Sequence, residues 1–162
     1  EFIRTLDDAY TAQAMIITDR DNNQINGFHP GAMEQAHLTR IEAREDIKLG
    51  IIAPDGREAM LQHAEQFRAA DIPFVFDPGQ QLPRFDGAEL RSLVDQASWV
   101  TVNDYEGKML SDRTGWSTAE VSRRVRGMIV TKGLKPGDVV VTAGVHSLRA
   151  GQEVKLLQEG SR

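Results

Sequence analysis

The stretch from Ile72 to Glu106 constrains the fold most, because it reads as strand, helix, strand and polar tip in unbroken succession. Ile72-Pro73-Phe74-Val75-Phe76 is a short apolar run closed by Asp77-Pro78-Gly79, and Trp99-Val100-Thr101-Val102 is a second, closed by Asn103-Asp104-Tyr105-Glu106. Between them Asp86-Gly87-Ala88-Glu89 spells an N-cap with a reciprocal carboxylate, after which Leu90, Leu93, Val94 and Ala97 recur at helical spacing. Such a unit is a parallel strand pair with a crossover helix. Open parallel sheets place ligands at the carboxyl ends of their strands, and that is where the polar residues cluster.

The flanking sequence extends the pattern. Upstream, Tyr10 to Thr18 and Ile25 to Phe28 bracket the polar turn Asp21-Asn22-Asn23, which predicts an antiparallel hairpin ended by His29-Pro30-Gly31. His29 reads as a turn residue. Ala32 to Glu45 is polar and irregular, a helix followed by a turn. Ile47 to Ala53 predicts a strand, Asp55-Gly56-Arg57-Glu58 repeats the capping pattern, and Met60, Leu61, Ala64 and Phe67 line one helical face. His63 falls beside that face as a boundary residue, with no second histidine or carboxylate at i+4 to complete a metal pair.

Downstream come a helix over Tyr105 to Leu110, a break at Gly115, a third capping pattern in Ser117-Thr118-Ala119-Glu120 opening a helix to about Arg126, and the strand Met128-Ile129-Val130-Thr131. Four apolar runs alternating with helices predict an α/β fold with a doubly wound parallel sheet and helices on both faces. Beyond Gly133 the rhythm changes. Val139 to Thr142 and Gln152 to Leu157 read as strands with no intervening helix, hence an antiparallel pair.

Composition limits the partners. The net charge of −5 gives no basic face for nucleic acid or anionic lipid. The absence of cysteine excludes thiolate chemistry and disulfides. No apolar run is long enough to span a membrane, and the N-terminus has no signal-like core, so a cytoplasmic location is expected.

Residues 1 to about 133 resemble an internal portion of the ribokinase-like (PfkB) family of carbohydrate and nucleoside kinases, close to its adenosine kinase-like and general sugar kinase members. The resemblance rests on the hairpin from Tyr10-Thr11-Ala12-Gln13-Ala14 to His29-Pro30-Gly31-Ala32-Met33, on Phe76-Asp77-Pro78-Gly79-Gln80-Gln81-Leu82-Pro83, on Val102-Asn103-Asp104-Tyr105-Glu106, and on Ile129-Val130-Thr131-Lys132-Gly133. It implies a ribokinase-like core over 47–133 and a hairpin at 9–29 that serves as a lid over the sugar site. It further implies that Asn103 and Glu106 lie near magnesium and phosphate, with Glu106 holding the metal through water, and that Thr131 and Gly133 approach the nucleotide of Mg-ATP. Ala12, Gln13 and Asp77 are the implied substrate contacts. On the local string alone, Asn103 is a turn residue and Glu106 a first-turn carboxylate favoured by the helix dipole.

Two departures shape the expected function. The chain starts at the lid, without the preceding strands that supply much of the family's sugar pocket, and it contains no Gly-Ala-Gly-Asp string, whose aspartate is the family's base. Loss of both base and anion hole predicts no useful turnover. Residues from about 133 to 158 resemble instead the C-terminal segment of periplasmic adaptor proteins of efflux pumps, on Gly133-Leu134-Lys135-Pro136-Gly137-Asp138 and Ala143-Gly144-Val145-His146. That resemblance implies a chimera joined at Thr131-Lys132-Gly133-Leu134, with 134–162 packing on a truncated core. The expected function is a folded, inactive kinase relic with weak nucleotide binding. The alternatives are a self-association module that pairs as a homodimer through an exposed sheet edge, or a residual phosphotransferase using Asp77, Asp104 or Asp138.

Overall fold

The computed structural model describes residues 3–42 and 45–131. Strands β1 (Gln13–Thr18) and β2 (Gln24–His29) form the expected antiparallel hairpin, with Ile17 opposite Ile25 and Gln13 opposite His29. The turn is tied by Asp19, whose carboxylate accepts N–H bonds from Asp21 at 2.8 Å and Asn23 at 2.9 Å, while Asn22 takes φ 62°. Asn tolerates this left-handed conformation better than most residues. His29 ends the second strand rather than starting the turn.

The segment after the hairpin is a 3-10 helix, Gly31–Leu38, where the sequence predicts a helix followed by a turn. It is tied back by the Ala32 N–H, which donates to the Tyr10 carbonyl at 2.8 Å. Then come β3 (Gly50–Ile52), α1 (Arg57–Ala69), β4 (Phe74–Phe76), a second 3-10 turn at Gly79–Arg84, α2 (Gly87–Gln96), β5 (Trp99–Asn103), α3 (Asp104–Thr114), α4 (Thr118–Arg124) and β6 (Gly127–Thr131). The sheet is parallel throughout, in the order β3-β4-β5-β6. The expected fold class, a parallel α/β sheet with an N-terminal hairpin, is what the chain forms.

Of the three capping patterns read from the sequence two form reciprocal boxes, and a third such box appears at Asn103, where none was predicted. Asp86 with Glu89, Asn103 with Glu106, and Ser117 with Glu120 form reciprocal capping boxes. Asp55 with Glu58 does not: the cap of α1 is Gly56, with no side-chain cap bond. The Asp55 carboxylate instead takes its neighbour's N–H, Gly56, at 2.7 Å, and Glu58 accepts from Gln62 on the helix surface. The strand predicted over Ile47 to Ala53 is reduced to Gly50–Ile52, and α3 runs four residues past Leu110 to Thr114.

Paired residues of a parallel sheet project to one side, so the register divides the side chains into faces. Ile52, Phe76 and Val100 form a buried row, with Phe74 and Val102 beside it. Helix residues Met60, Ala64, Phe67, Leu90, Leu93, Val94, Leu110 and Val121 complete that core. On the opposite row no helix packs among the described residues: Ile51 is 64% exposed, and Val75 and Trp99 are half-buried. The prediction of helices on both faces is therefore met on one face among the described residues. The reason is topological: strands added in one direction through right-handed crossovers leave every connecting helix on the same side.

The strands predicted at 139–142 and 152–157, Gly133 and the 134–162 segment lie outside the described residues. Among the described residues no helix is long and apolar enough to cross a membrane.

Candidate functional site

The carboxyl ends of the strands form one rim. Asp77 follows the last residue of β4, and its backbone N–H donates to the Ile52 carbonyl at 2.8 Å, so this acid is fixed to the neighbouring strand rather than to a free loop. Burial pushes the Asp77 carboxyl above its ordinary range, and the Glu106 carboxylate pushes it further, against the opposing Gly79 N–H. Two acids from different strand ends thus share one electrostatic environment. A cation beside them would favour the ionised form of Asp77.

Asn103 ends β5 and caps α3. Its Oδ1 accepts the Glu106 N–H at 2.8 Å, and Glu106 Oε2 accepts the Asn103 N–H at 2.8 Å. Both residues therefore carry a structural task, the capping of α3. The box orients the Glu106 carboxylate and engages one of its oxygens. Thr131, at the exposed end of β6, is the register partner of Asn103. Beside Glu106 lies a cleft of about 230 Å³ whose walls include Gln80, Leu82, Tyr105 and Met109.

The predicted residues thus fall into groups. Asp77, Asn103, Glu106 and Thr131 come together at the strand ends. Ala12 and Gln13 stand where the hairpin begins; Gln13 is exposed and Ala12 half-buried. Gly133 lies outside the described residues. Among the described residues no group of three or more histidine, aspartate or glutamate side chains is placed to hold a metal ion by itself. Asp77 with Glu106 is still a donor set that suits magnesium, which keeps several waters and takes one or two carboxylates together with substrate phosphates.

Sequence reasoning missed two features of the rim. Arg84, from the 3-10 turn after Asp77, donates to Glu34 at 2.8 Å, joining that turn to the helix that follows the hairpin. Asp55, read as a helix cap, stands at the strand end after β3 and lines a cleft with His63. Its signal was available: like Asp77 it is an acid just beyond the end of a strand.

Comparison with known proteins gives concordant results. The model of the pfkB family carbohydrate kinases matches residues 1–158. The nucleoside kinase of Methanocaldococcus jannaschii is 31% identical over 133 residues, 82% of this chain and 43% of that protein. The structure of Burkholderia thailandensis nucleoside kinase in complex with inosine matches with 54% identity and a TM-score of 0.72, covering 76% of this chain and 41% of the other. The crystal structure of the M. jannaschii nucleoside kinase matches with 28% identity and a TM-score of 0.70, covering 78% and 42%. The chain spans about two-fifths of the length of these relatives. The family match also runs through Thr131-Lys132-Gly133-Leu134 to residue 158, so a junction there, and with it the efflux-adaptor origin of the following segment, has no support from the comparisons.

Proposed function

This chain belongs to the pfkB family carbohydrate kinases, and we propose that it is a core portion of a nucleoside kinase that uses Mg-ATP. The observation that carries the reading is the meeting of Asp77 and Glu106 beside the Asn103–Thr131 pair at the strand ends. It occurs in a chain 54% identical to a nucleoside kinase of known structure. In this reading Asp77 and Glu106 face magnesium through its waters, and Asn103 holds the Glu106 carboxylate toward it. Thr131 and Gly133 approach the phosphates. Ala12 and Gln13, at the base of the hairpin, face the acceptor.

Bound Mg-ATP supplies the phosphoryl group and the charge that neutralises it. The residues of this chain supply position: a half-buried acid pair, a fixed cap and a hairpin anchored at Tyr10. Phosphoryl transfer depends on such positioning together with a base and an anion hole. The 162-residue polypeptide contains no Gly-Ala-Gly-Asp string, so by itself it binds nucleotide without efficient turnover.

Thermal unfolding with and without magnesium ATP tests this. A ligand held only by the folded state raises stability by RT ln(1 + [L]/Kd), about 2.7 kcal/mol at a hundredfold excess over Kd. A cooperative transition that does not move would remove nucleotide binding from the reading. Rapid phosphate transfer to a nucleoside would remove the inactivity.

A second reading, self-association as a homodimer through the sheet edge, is favoured by Ile129 and Val130, exposed on β6, an outermost strand among the described residues. Exposed apolar strands at a sheet margin are templates for pairing. Mass measured against concentration decides it, and a monomer at high concentration excludes the dimer.

A further inference from the structure

The chain segments that lead into β4, β5 and β6 meet at the amino ends of those strands, around a cleft of about 370 Å³. α1 closes there by a paired turn: the Asp71 N–H donates to the Arg68 carbonyl at 3.1 Å, and the Ile72 N–H to the Phe67 carbonyl at 2.9 Å. The left-handed position of such a closure usually belongs to glycine, and here it is Asp71, with φ 53°. The Ser98 N–H donates to the Phe74 carbonyl at 2.9 Å, and the Arg126 N–H to the Ser98 carbonyl at 2.8 Å. These bonds fix the three segments side by side as an extension of the sheet.

Arg68, Arg126 and Asp71 all line the cleft. Among the described residues no carboxylate pairs with either guanidinium, and no donor reaches the Asp71 carboxylate. Arg68 Nη1 donates to the Asp95 carbonyl at 3.5 Å, and the Arg126 guanidinium lies over the Trp99 ring, 5.6 Å from its centroid. Two cations thus face one cleft without a bound counter-charge. Guanidinium groups in that state are complementary to a phosphate, which they meet through paired N–H donors.

The other polar groups ask for something a bare ion lacks. Gln96 Nε2 donates to the Ser92 carbonyl at 3.1 Å and to its hydroxyl at 3.0 Å, which leaves Oε1 open as an acceptor. An ionised Asp71 likewise only accepts. Hydroxyl groups carried on the same molecule as the phosphate would satisfy both. The volume agrees, since it lies in the range of small-molecule sites and exceeds what one tetrahedral ion fills. The apolar walls are Ile72 and Pro73, with no aromatic face on which a base would stack. Asn103, at the far end of β5, belongs to the strand-end rim, so five strand residues, about 15 Å at the usual rise, separate the two places.

We propose that this cleft binds a small hydroxylated phosphomonoester, its phosphate held between Arg68 and Arg126 and its hydroxyls by the Asp71 carboxylate and Gln96 Oε1. The site is separate from the rim, and the proposal does not depend on the nucleoside kinase reading.

Calorimetric titration of the whole chain with ribose 5-phosphate, inorganic phosphate and ribose tests it, alongside melts with magnesium ATP. One variant carries Arg68→Gln with Arg126→Gln, both at exposed positions. A second carries Asp71→Asn, which keeps the turn because asparagine also adopts positive φ, and so guards against a folding failure in the first. Ribose 5-phosphate is expected to bind the parent about tenfold or more tighter than inorganic phosphate, and ribose not to bind. The arginine variant is expected to lose about tenfold or more in affinity for both phosphates while keeping the parent's response to magnesium ATP. Asp71→Asn is expected to narrow the gap between ribose 5-phosphate and inorganic phosphate. Absence of ribose 5-phosphate binding to the parent overturns the proposal, as does affinity within about twofold of the parent in the arginine variant. An unchanged gap in Asp71→Asn overturns the hydroxyl contacts. A magnesium ATP shift lost in the arginine variant assigns the cleft to nucleotide phosphates and overturns the separation of the two sites.

Discussion

Asn103 and Glu106 hold each other through two hydrogen bonds of 2.8 Å, each side chain accepting the other's backbone N–H. The pair that the family resemblance assigns to magnesium and phosphate is thus also the cap of α3. Cap and ligand roles separate by substitution. Asn103→Ala removes the acceptor and is expected to cost about 1 kcal/mol in denaturant unfolding. Glu106→Gln keeps the reciprocal bond, since glutamine also serves in capping boxes, but removes the charge. Its unfolding midpoint should stay near that of the parent, and its stabilisation by magnesium ATP should shrink.

Asp77 gives a pH signature of unusual sign. Its carboxyl is raised first by burial and then by Glu106, so the folded state holds the proton more tightly than the unfolded state. Stability from this group is present below the unfolded carboxylate pKa and declines as pH rises through the raised value. Asp77→Asn is therefore expected to melt higher than the parent at neutral pH, with the difference vanishing in acid. Equal melting temperatures at pH 7 would contradict the burial and pairing of this acid.

Glu34 behaves in the opposite sense. Arg84 holds its carboxyl below the usual range, so its contribution is present at neutral pH and lost as pH falls. Both side chains are nearly half exposed, which limits the pair. A double-mutant cycle with Glu34→Gln and Arg84→Gln should return a coupling of about 0.2 to 1 kcal/mol at low salt. Raising the salt should reduce it.

Gly50 tests the packing of β3 on α1. A methyl group there would lie 2.5 Å from Phe67 Cζ, and the Phe67 ring itself stacks on Phe74 with centroids 5.7 Å apart. Gly50→Ala is expected to destabilise by about 1 to 3 kcal/mol through overpacking. Adding Phe67→Leu should recover part of the loss, because the contact that forbids the methyl is an aromatic edge.

Much of the fold was legible because its signals are local. Caps at i and i+3 place α2 and α4, and apolar runs of three to five residues place the strands, without tertiary information. The capping pattern at Asp55 and Glu58 has the same spelling and a different outcome, since which residue caps depends on where the chain enters the helix. The disposition of helices around the sheet follows from strand order, which no local spacing encodes. At the candidate site, Asp77 was visible as a strand-end acid. Its electrostatic encounter with Glu106 required the alignment of β4 and β5. The Asp55 cleft was not legible, because it arises where residues 32–41 meet a helix two dozen positions onward.

The sequential strand order also bears on how the molecule is made. Each new strand of the set from β3 to β6 docks against the one immediately before it in the chain. Contacts between successive elements close short stretches of chain, and folding is fastest where contacts are local. During synthesis β4 can settle on β3 while β5 is still being translated, and β6 meets a template already assembled. Growth by accretion at one margin lets the rim carrying Asp55, Asp77 and Glu106 be laid down in the order in which the ribosome delivers it.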